Sequence, residues 1–391
     1  VLVESVFSWP GLGTLAFDSI IARDTPTILG ILFFSALVVI VGGSLLIMPL
    51  LKSDPSSEVQ AEDAPAKFTF EQNLQLTYDQ DVEIFVDVLA DDIQKLEVVY
   101  DDSVIQIWKN PTKNVSFKFN ASLKGVGAKS FNLLSTLKDG SSYVDNRMLR
   151  VISNINPELL TAEIVASYPH NRESFTQGLA FYNGNLYEGT GVLGKSFVAE
   201  VDLKTGTINP NKRMGLDGNY FGEGITILND VLYQLTWQNH KCITYDLNER
   251  IIPKKDFAYT GEGWGICNDG ENLIMSDGTE RISFRDPETF GVIKTIEVYN
   301  NRGPITALNE LEFIDGKIYA NVWTTNMVVV IDPITGMVEQ QIDASSLEIE
   351  GRLSDQDVLN GIAFNSETGK IYMTGKNWLK LFEVKFVKKA V

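Results

Sequence analysis

QGLAFYNGNLYEGTG, at residues 177–191, returns in four further versions along the C-terminal part of the chain. They are EGITILNDVLYQLTW at 223–237, WGICNDGENLIMSDG at 264–278, NELEFIDGKIYANVW at 309–323 and NGIAFNSETGKIYMTGKNW at 360–378. Successive starts lie 46, 41, 45 and 51 residues apart. A period of about forty to fifty residues is that of a β-propeller with one blade per copy, so five copies predict five blades. Two residues after each start stands a large aliphatic: Leu179, Ile225, Ile266, Leu311 and Ile362. The position between is glycine in four copies and Glu310 in the other. Glycine in a strand admits a second backbone at close range, as strands crowded near an axis require. Asn183-Gly184, Asn229-Asp230, Asp269-Gly270, Asp315-Gly316 and Thr368-Gly369 then mark hairpin turns. Second strands are expected from Leu186, Leu232, Leu273, Ile318 and Ile371.

A hairpin returns the chain to the end where it began. Five residues on from each second-strand aliphatic stand Gly191, Trp237, Gly278, Trp323 and Lys376. They are predicted to share one mouth of the central channel with the copy starts Gln177, Glu223, Trp264, Asn309 and Asn360. Structural positions of a repeat should look alike from copy to copy, and these do not. One carboxylate, one ammonium, several amides and three indoles therefore define a candidate recognition or catalytic pocket.

The chain has 391 residues, for which about two to three domains are expected. With 33 basic and 51 acidic residues its net charge is −18, which argues against a nucleic-acid partner. Cys242 and Cys267 are too few for a disulfide framework, and spacing leaves open whether they pair. His170 and His240 are the only histidines, and neither HExxH nor CxxC occurs. A catalytic zinc usually takes three protein ligands, so no catalytic metal is expected; a structural calcium held by backbone carbonyls in the channel is compatible with the sequence.

Residues 28–51 are a 24-residue stretch without a charge. That is long enough to span a bilayer as a helix and too long for a signal-peptide core. It is expected to contact or anchor the chain to a membrane, with the remainder extracytoplasmic, periplasmic or secreted. Arg23 and Lys52 flank it and leave its orientation open. Residues 52–66, KSDPSSEVQAEDAPA, read as an acidic linker. Residues 67–155 carry six or seven short alternating segments, predicting a small β-sandwich of Ig-like type. The propeller is assigned to 156–391. A strand at 162–170 before the first copy, and another at 380–386 after the last, are expected to close the ring.

Two resemblances add to this reading. Residues 1–43, with ESVFSWPGLG at 4–13 and ARDTP at 22–26, resemble the C-terminal end of an ABC-type peptide-transporter permease; with Val at position 1, this fits a fragment or a joined reading frame. From about Ala162 to Val387 the chain resembles the plant and bacterial type of glutaminyl-peptide cyclotransferase. The carrying motifs include Phe175-Thr176-Gln177-Gly178, Phe221-Gly222-Glu223-Gly224, Leu235-Thr236-Trp237, Gly261-Glu262-Gly263-Trp264-Gly265, Leu308-Asn309-Glu310-Leu311-Glu312, Ala320-Asn321-Val322-Trp323, Leu359-Asn360-Gly361 and Thr374-Gly375-Lys376-Asn377-Trp378. Leu379 replaces the proline common in that family. The sandwich and the N-terminal segment lie outside the resemblance. It implies a five-bladed propeller, and metal-independent cyclisation of N-terminal glutamine of peptides or proteins to pyroglutamate, with release of ammonia.

That chemistry suits the candidate residues. The substrate's α-amine attacks its own γ-carbonyl, so the enzyme chiefly orients tethered groups. Glu223 is the one acid among the copy starts, and the resemblance places the acid/base there. A single carboxylate can take the amine proton and return it to the leaving nitrogen. Gln177, Asn309 and Lys376 can donate hydrogen bonds to the oxyanion. Trp237, Trp264 and Trp323 are expected to wall the glutaminyl side chain, Phe175 and Phe221 to support them, and Asn360 to join the substrate contacts. The competing readings are an ion balance between Glu223 and Lys376, tryptophans that plug the channel, a solvated Lys376, and Asn360 as a turn-stabilising amide. A non-enzymatic propeller that binds peptide ends or a small ligand is the alternative function, since a fold does not imply an activity.

Overall fold

Alternating apolar and polar residues cut by turn dipeptides build strands, and the computed structural model, which describes residues 64–347 and 354–389, is all-β. Its only helical turn among the described residues is the 3-10 turn Ser345–Leu347. The first three sequence copies each form a four-stranded antiparallel sheet. The first runs Thr176–Tyr182, Asn185–Thr190, Phe197–Val201 and Ile208–Gly215. The second runs from Gly222–Leu228 to Ile251–Ala258, and the third from Ile266–Asn268 to Val292–Glu297. The last two copies share an eight-stranded sheet. Its order is Leu308–Ile314, Lys317–Val322, Met327–Ile331, Val338–Asp343, Glu158–Pro169, Lys380–Lys388, Lys370–Gly375 and Leu359–Asn365. This array of four-stranded units resembles a β-propeller.

The local chemistry of the repeat explains the sheets. Both central residues of three hairpin turns have positive φ: Asn183 and Gly184 (48° and 73°), Asn229 and Asp230 (53° and 62°), and Asp315 and Gly316 (49° and 81°). A type I′ turn demands that conformation, and Asn, Asp and Gly tolerate it best. The five aliphatics after the copy starts are all fully buried. Close approach governs the position before them. A Cβ on Gly265 would lie 2.0 Å from the carbonyl oxygen of Asn309 in the next copy. Glu310, the exception, is an internal brace: its carboxyl accepts hydrogen bonds from the backbone N–H of Leu179 (3.2 Å) and of Ile362 (2.8 Å), in the first and last copies.

The strand expected at 162–170 is longer, Glu158–Pro169, and pairs on both sides. Glu158 to Thr161 run parallel to Gln340 to Asp343, while Leu160 to Pro169 run antiparallel to the final strand. The N-terminal strand thus joins the last two copies.

Upstream stand eight strands rather than six or seven. Ala66–Phe68, Asp81–Val88 and Val115–Asn120 form one sheet, and Leu74–Thr77, Ser142–Ile152, Gly127–Leu137, Ile93–Tyr100 and Ser103–Lys109 the other. Phe131 centres their core, with ring contacts to Phe68, Phe70, Tyr100, Phe117 and Phe119. The linker ends earlier than expected: Ala64 and Ala66 are already buried, and Leu89 N–H bonds to Pro65 O. Residues 64–138 and 144–391 belong to one unit. Within it the backbone N–H of Val126 bonds to Thr335 O, and that of Ala128 to the Glu297 carboxylate. The permease-like residues 1–43, the uncharged stretch 28–51 and residues 52–63 of the linker lie outside the described residues. No helix among the described residues is long and apolar enough to cross a membrane. Cys242 and Cys267 are unpaired thiols, both buried.

Candidate active site

One irregularity recurs where the first strands begin. Register shifts fall between Thr176 and Gly178, Gly222 and Ile225, Leu308 and Leu311, and Leu359 and Ile362. Each is a β-bulge, and the segments that slip contain Gln177, Glu223, Asn309 and Asn360. A bulge frees a residue from the ladder and re-aims its side chain. A clasp fixes the partner positions. Gly191, Trp237, Trp323 and Lys376 donate their backbone N–H to the carbonyls of Phe175, Phe221, Ala307 and Val358, each two residues before its copy start. The hairpin geometry therefore sets the two series side by side.

Their side chains line one cavity of about 290 Å³. Its walls are Phe175, Gln177, Phe221, Glu223, Trp237, Trp264, Asn309, Trp323, Gln356 and Lys376. Nine of the ten predicted residues meet there. Asn360 does not line it. This amide is fully buried behind the wall, where its Nδ2 donates to Thr176 O and to Gln177 Oε1, both at 3.1 Å. Asn360 thereby leaves the Nε2 donor of Gln177 directed away from it.

The cavity holds two charged side chains that are almost wholly buried. Glu223 and Lys376 are each only 5% exposed. Burial drives the Glu223 carboxyl well above the usual carboxylate range; Lys376 opposes that shift and the charge of Glu262 adds to it. Burial lowers the Lys376 ammonium, against the pull of Glu223. Among the described residues neither forms an ion pair, and Lys376 Nζ instead sits 4.9 Å from the centre of the Phe175 ring. Aromatic edges close the remaining wall: Phe175 on Phe221 (6.2 Å), Phe221 on Trp237 (5.7 Å) and Trp264 on Trp323 (5.4 Å). Glycine makes the room for this. A Cβ on Gly278, whose φ is +80°, would lie 2.5 Å from the Trp264 ring.

The glutamine cyclotransferase family profile matches residues 140–386, more than half of the chain. This chain belongs to the glutamine cyclotransferase family. It is 41% identical over 229 residues to the glutaminyl-peptide cyclotransferase of Arabidopsis thaliana, covering 57% of this chain and 70% of that one. The crystal structure of Myxococcus xanthus glutaminyl cyclase superposes with a TM-score of 0.56 at 35% identity, covering 60% of this chain and all of that one. A 58-residue stretch, 15% of this chain, is 41% identical to the oligopeptide transport permease AppB of Bacillus subtilis (strain 168), of which it spans 18%. The family match begins at residue 140, further upstream than the resemblance read from the motifs, and so takes in the upstream strand Ser142–Ile152.

Two residues at the site of this family member were not singled out from sequence. Gln356 is exposed and enters the wall from the segment before the strand Leu359–Asn365. It stands outside the repeat, so no copy-to-copy comparison points to it. Glu262 accepts a hydrogen bond from the indole Nε1 of Trp237 (2.8 Å) and another from that of Trp264 (2.9 Å), both on Oε2. Its place two residues before a copy start was the available signal. The histidines lie elsewhere: His170 is buried against Glu188 and Trp378 O, and His240 bonds to Gly261 O. Among the described residues no cluster of three or more His, Cys, Asp or Glu could hold a metal ion.

Proposed function

We propose that the chain is a glutaminyl-peptide cyclotransferase in which Glu223 is the acid/base. The observation that carries this reading is a buried carboxyl, without an ion pair among the described residues, in an aromatic cavity that also holds the amides of Gln177 and Asn309. A free α-amine is a base near neutral pH. An ordinary carboxylate is a weak acceptor for its proton, whereas Glu223, raised by burial, is a stronger one. The neutral amine nitrogen attacks the γ-carbonyl carbon and, as the N–C bond forms, passes one proton to Glu223. The carbonyl oxygen gains the negative charge of a tetrahedral intermediate, and Lys376, Gln177 Nε2 and the Asn309 amide donate to it. Such donors act most strongly where water is excluded. Glu223 then delivers its proton to the amide nitrogen. The C–N bond breaks, ammonia leaves, and the five-membered lactam remains.

Trp237, Trp264 and Trp323 hold the side chain in the attacking conformation. Trp237 and Trp323, at 37% and 39% exposed, stand at the rim where the rest of the peptide leaves. The four-stranded units are read as five blades, since five sequence copies and the shared strand Glu158–Pro169 account for all of them. The upstream pair of sheets is read as an Ig-like spacer, and an extracytoplasmic location rests on residues 28–51.

Incubation of the purified chain with a Gln-initiated peptide tests the activity. The expected result is a mass loss of one ammonia, with one equivalent of ammonia in solution. A peptide recovered intact under conditions where the chain is folded would overturn it.

A further inference from the structure

The loop between the strands Ala258 and Ile266 carries an acid that the chemistry above does not use. Glu262 is half-buried and does not line the cavity, yet all three of its hydrogen bonds serve the wall or its neighbour. Oε2 accepts from both Trp237 and Trp264, and Oε1 accepts from Gln238 Nε2 at 2.9 Å. The two tryptophans come from different sequence copies, so a single oxygen ties one half of the wall to the other. We propose that Glu262 is the positioning residue of the substrate pocket, fixing the ring planes of Trp237 and Trp264 so that the cavity exists in its binding shape before substrate arrives.

The loop itself is held for this task. Gly263 N–H bonds to Trp237 O, and the Tyr259 hydroxyl donates to Thr236 O. His240 Nδ1 lies 2.7 Å from Gly261 O. A Cβ on Gly263 would lie 2.2 Å from the Tyr259 hydroxyl, so the chain passes there without a side chain. Backbone on both sides of Glu262 is thus anchored to the turn that bears Trp237 and His240, between the strands Val231–Thr236 and Lys241–Leu247. Trp237 needs the restraint, because it is half-exposed and, among the described residues, touches no aromatic ring but that of Phe221. An indole N–H that leaves water seeks an acceptor, and a carboxylate bond is about twice as strong as a neutral one. Burial works against ionisation of Glu262, but the bonds from Gln238, Trp264 and Trp237, with the charge of His240, keep its carboxyl below the usual range. It stays an acceptor throughout the neutral region.

This inference rests on the cyclotransferase reading, and the test separates the two. The wild-type chain, Glu262→Gln, Glu262→Ala and Glu262→Asp are compared for kcat and KM on one Gln-peptide, and for tryptophan emission without peptide. Glutamine keeps a carbonyl oxygen that accepts both indoles, once Gln238 turns its amide, so KM should stay within about 3-fold of wild type. Alanine should raise KM by roughly 10-fold, the worth of one charge-assisted hydrogen bond, with a smaller fall in kcat and red-shifted emission. Aspartate is too short to reach both rings and should behave like alanine; it carries the test if the alanine variant does not fold. Unchanged KM and emission in folded Glu262→Ala or Glu262→Asp would overturn the proposal, as would equal damage from Glu262→Gln. A wild type without turnover sinks the cyclotransferase reading instead, and the emission comparison still decides whether Glu262 fixes the rings.

Discussion

Glu223→Gln is the sharpest perturbation available, because it keeps the shape of the side chain and removes only the proton it can carry. Of the ten residues that line the cavity, only Glu223 and Lys376 titrate, and a lysine that stabilises an oxyanion cannot also be the base. No neighbouring carboxylate can substitute, since Glu262 is engaged with two indoles and lies outside the wall. The loss should therefore reach the upper part of the usual range for general acid–base catalysis, roughly 10³–10⁴-fold in kcat. That corresponds to about 4 to 5 kcal/mol of barrier. KM should change much less, because the tryptophans hold the side chain; Trp237→Ala should show the opposite emphasis. Steady-state release of ammonia from one Gln-peptide measures both. A raised KM with unchanged kcat would refute the acid/base role, because it reports a lost ground-state contact alone. The same variant tests the electrostatics. Burial raises the Glu223 carboxyl in the folded chain. Its contribution to stability is therefore lost as pH rises from the unfolded value through the folded one. Glu223→Gln should be at least as stable as wild type toward urea at neutral pH, with the difference vanishing near the unfolded value of about 4.

The wild-type pH profile should show an acid limb in kcat/KM well above the ordinary carboxylate range, lost as Glu223 protonates; a limb at ordinary carboxylate pH would contradict its burial. Turnover should survive zinc chelators, and loss with phenanthroline restored by zinc would end the metal-free mechanism. Asn360→Ala should release the Gln177 amide and lower kcat by roughly 10-fold, the worth of one buried hydrogen bond; a loss as large as that of Glu223→Gln would place Asn360 in the chemistry itself. Gly278→Ala should drive a methyl into Trp264 and strain a positive φ, costing about 1–3 kcal/mol of stability, read as a lower urea midpoint together with a higher KM.

Residues 177–191 and their four relatives mark most of the site because every copy solves the same packing problem. The aliphatics after each start recur for burial, and the Asn-Gly-type dipeptides recur because a two-residue turn needs positive φ. Against that regular background Glu223, Lys376 and the three tryptophans stand out, and the structure brings them to one cavity. Asn360 shows where such counting ends. It occupies an equivalent copy start, but a bond to Gln177, 183 residues away in sequence, turns it into the support of another side chain.

Sequence by itself determined the repeat, its turns, the buried aliphatics and the set of reactive side chains at the copy starts, because those follow from local conformation and periodic burial. Tertiary structure alone decided which of them touch the cavity. The bulges that re-aim Gln177, Glu223 and Asn309 are irregularities of pairing between strands. The ionisation of Glu223 and Lys376 follows from the water that neighbouring copies exclude. Glu310 was legible only as a break in a glycine pattern, and its partners in the first and last copies give the reason. Glu262 acts through two indoles 25 and 2 residues away, on a geometry that exists only when adjacent copies are packed together.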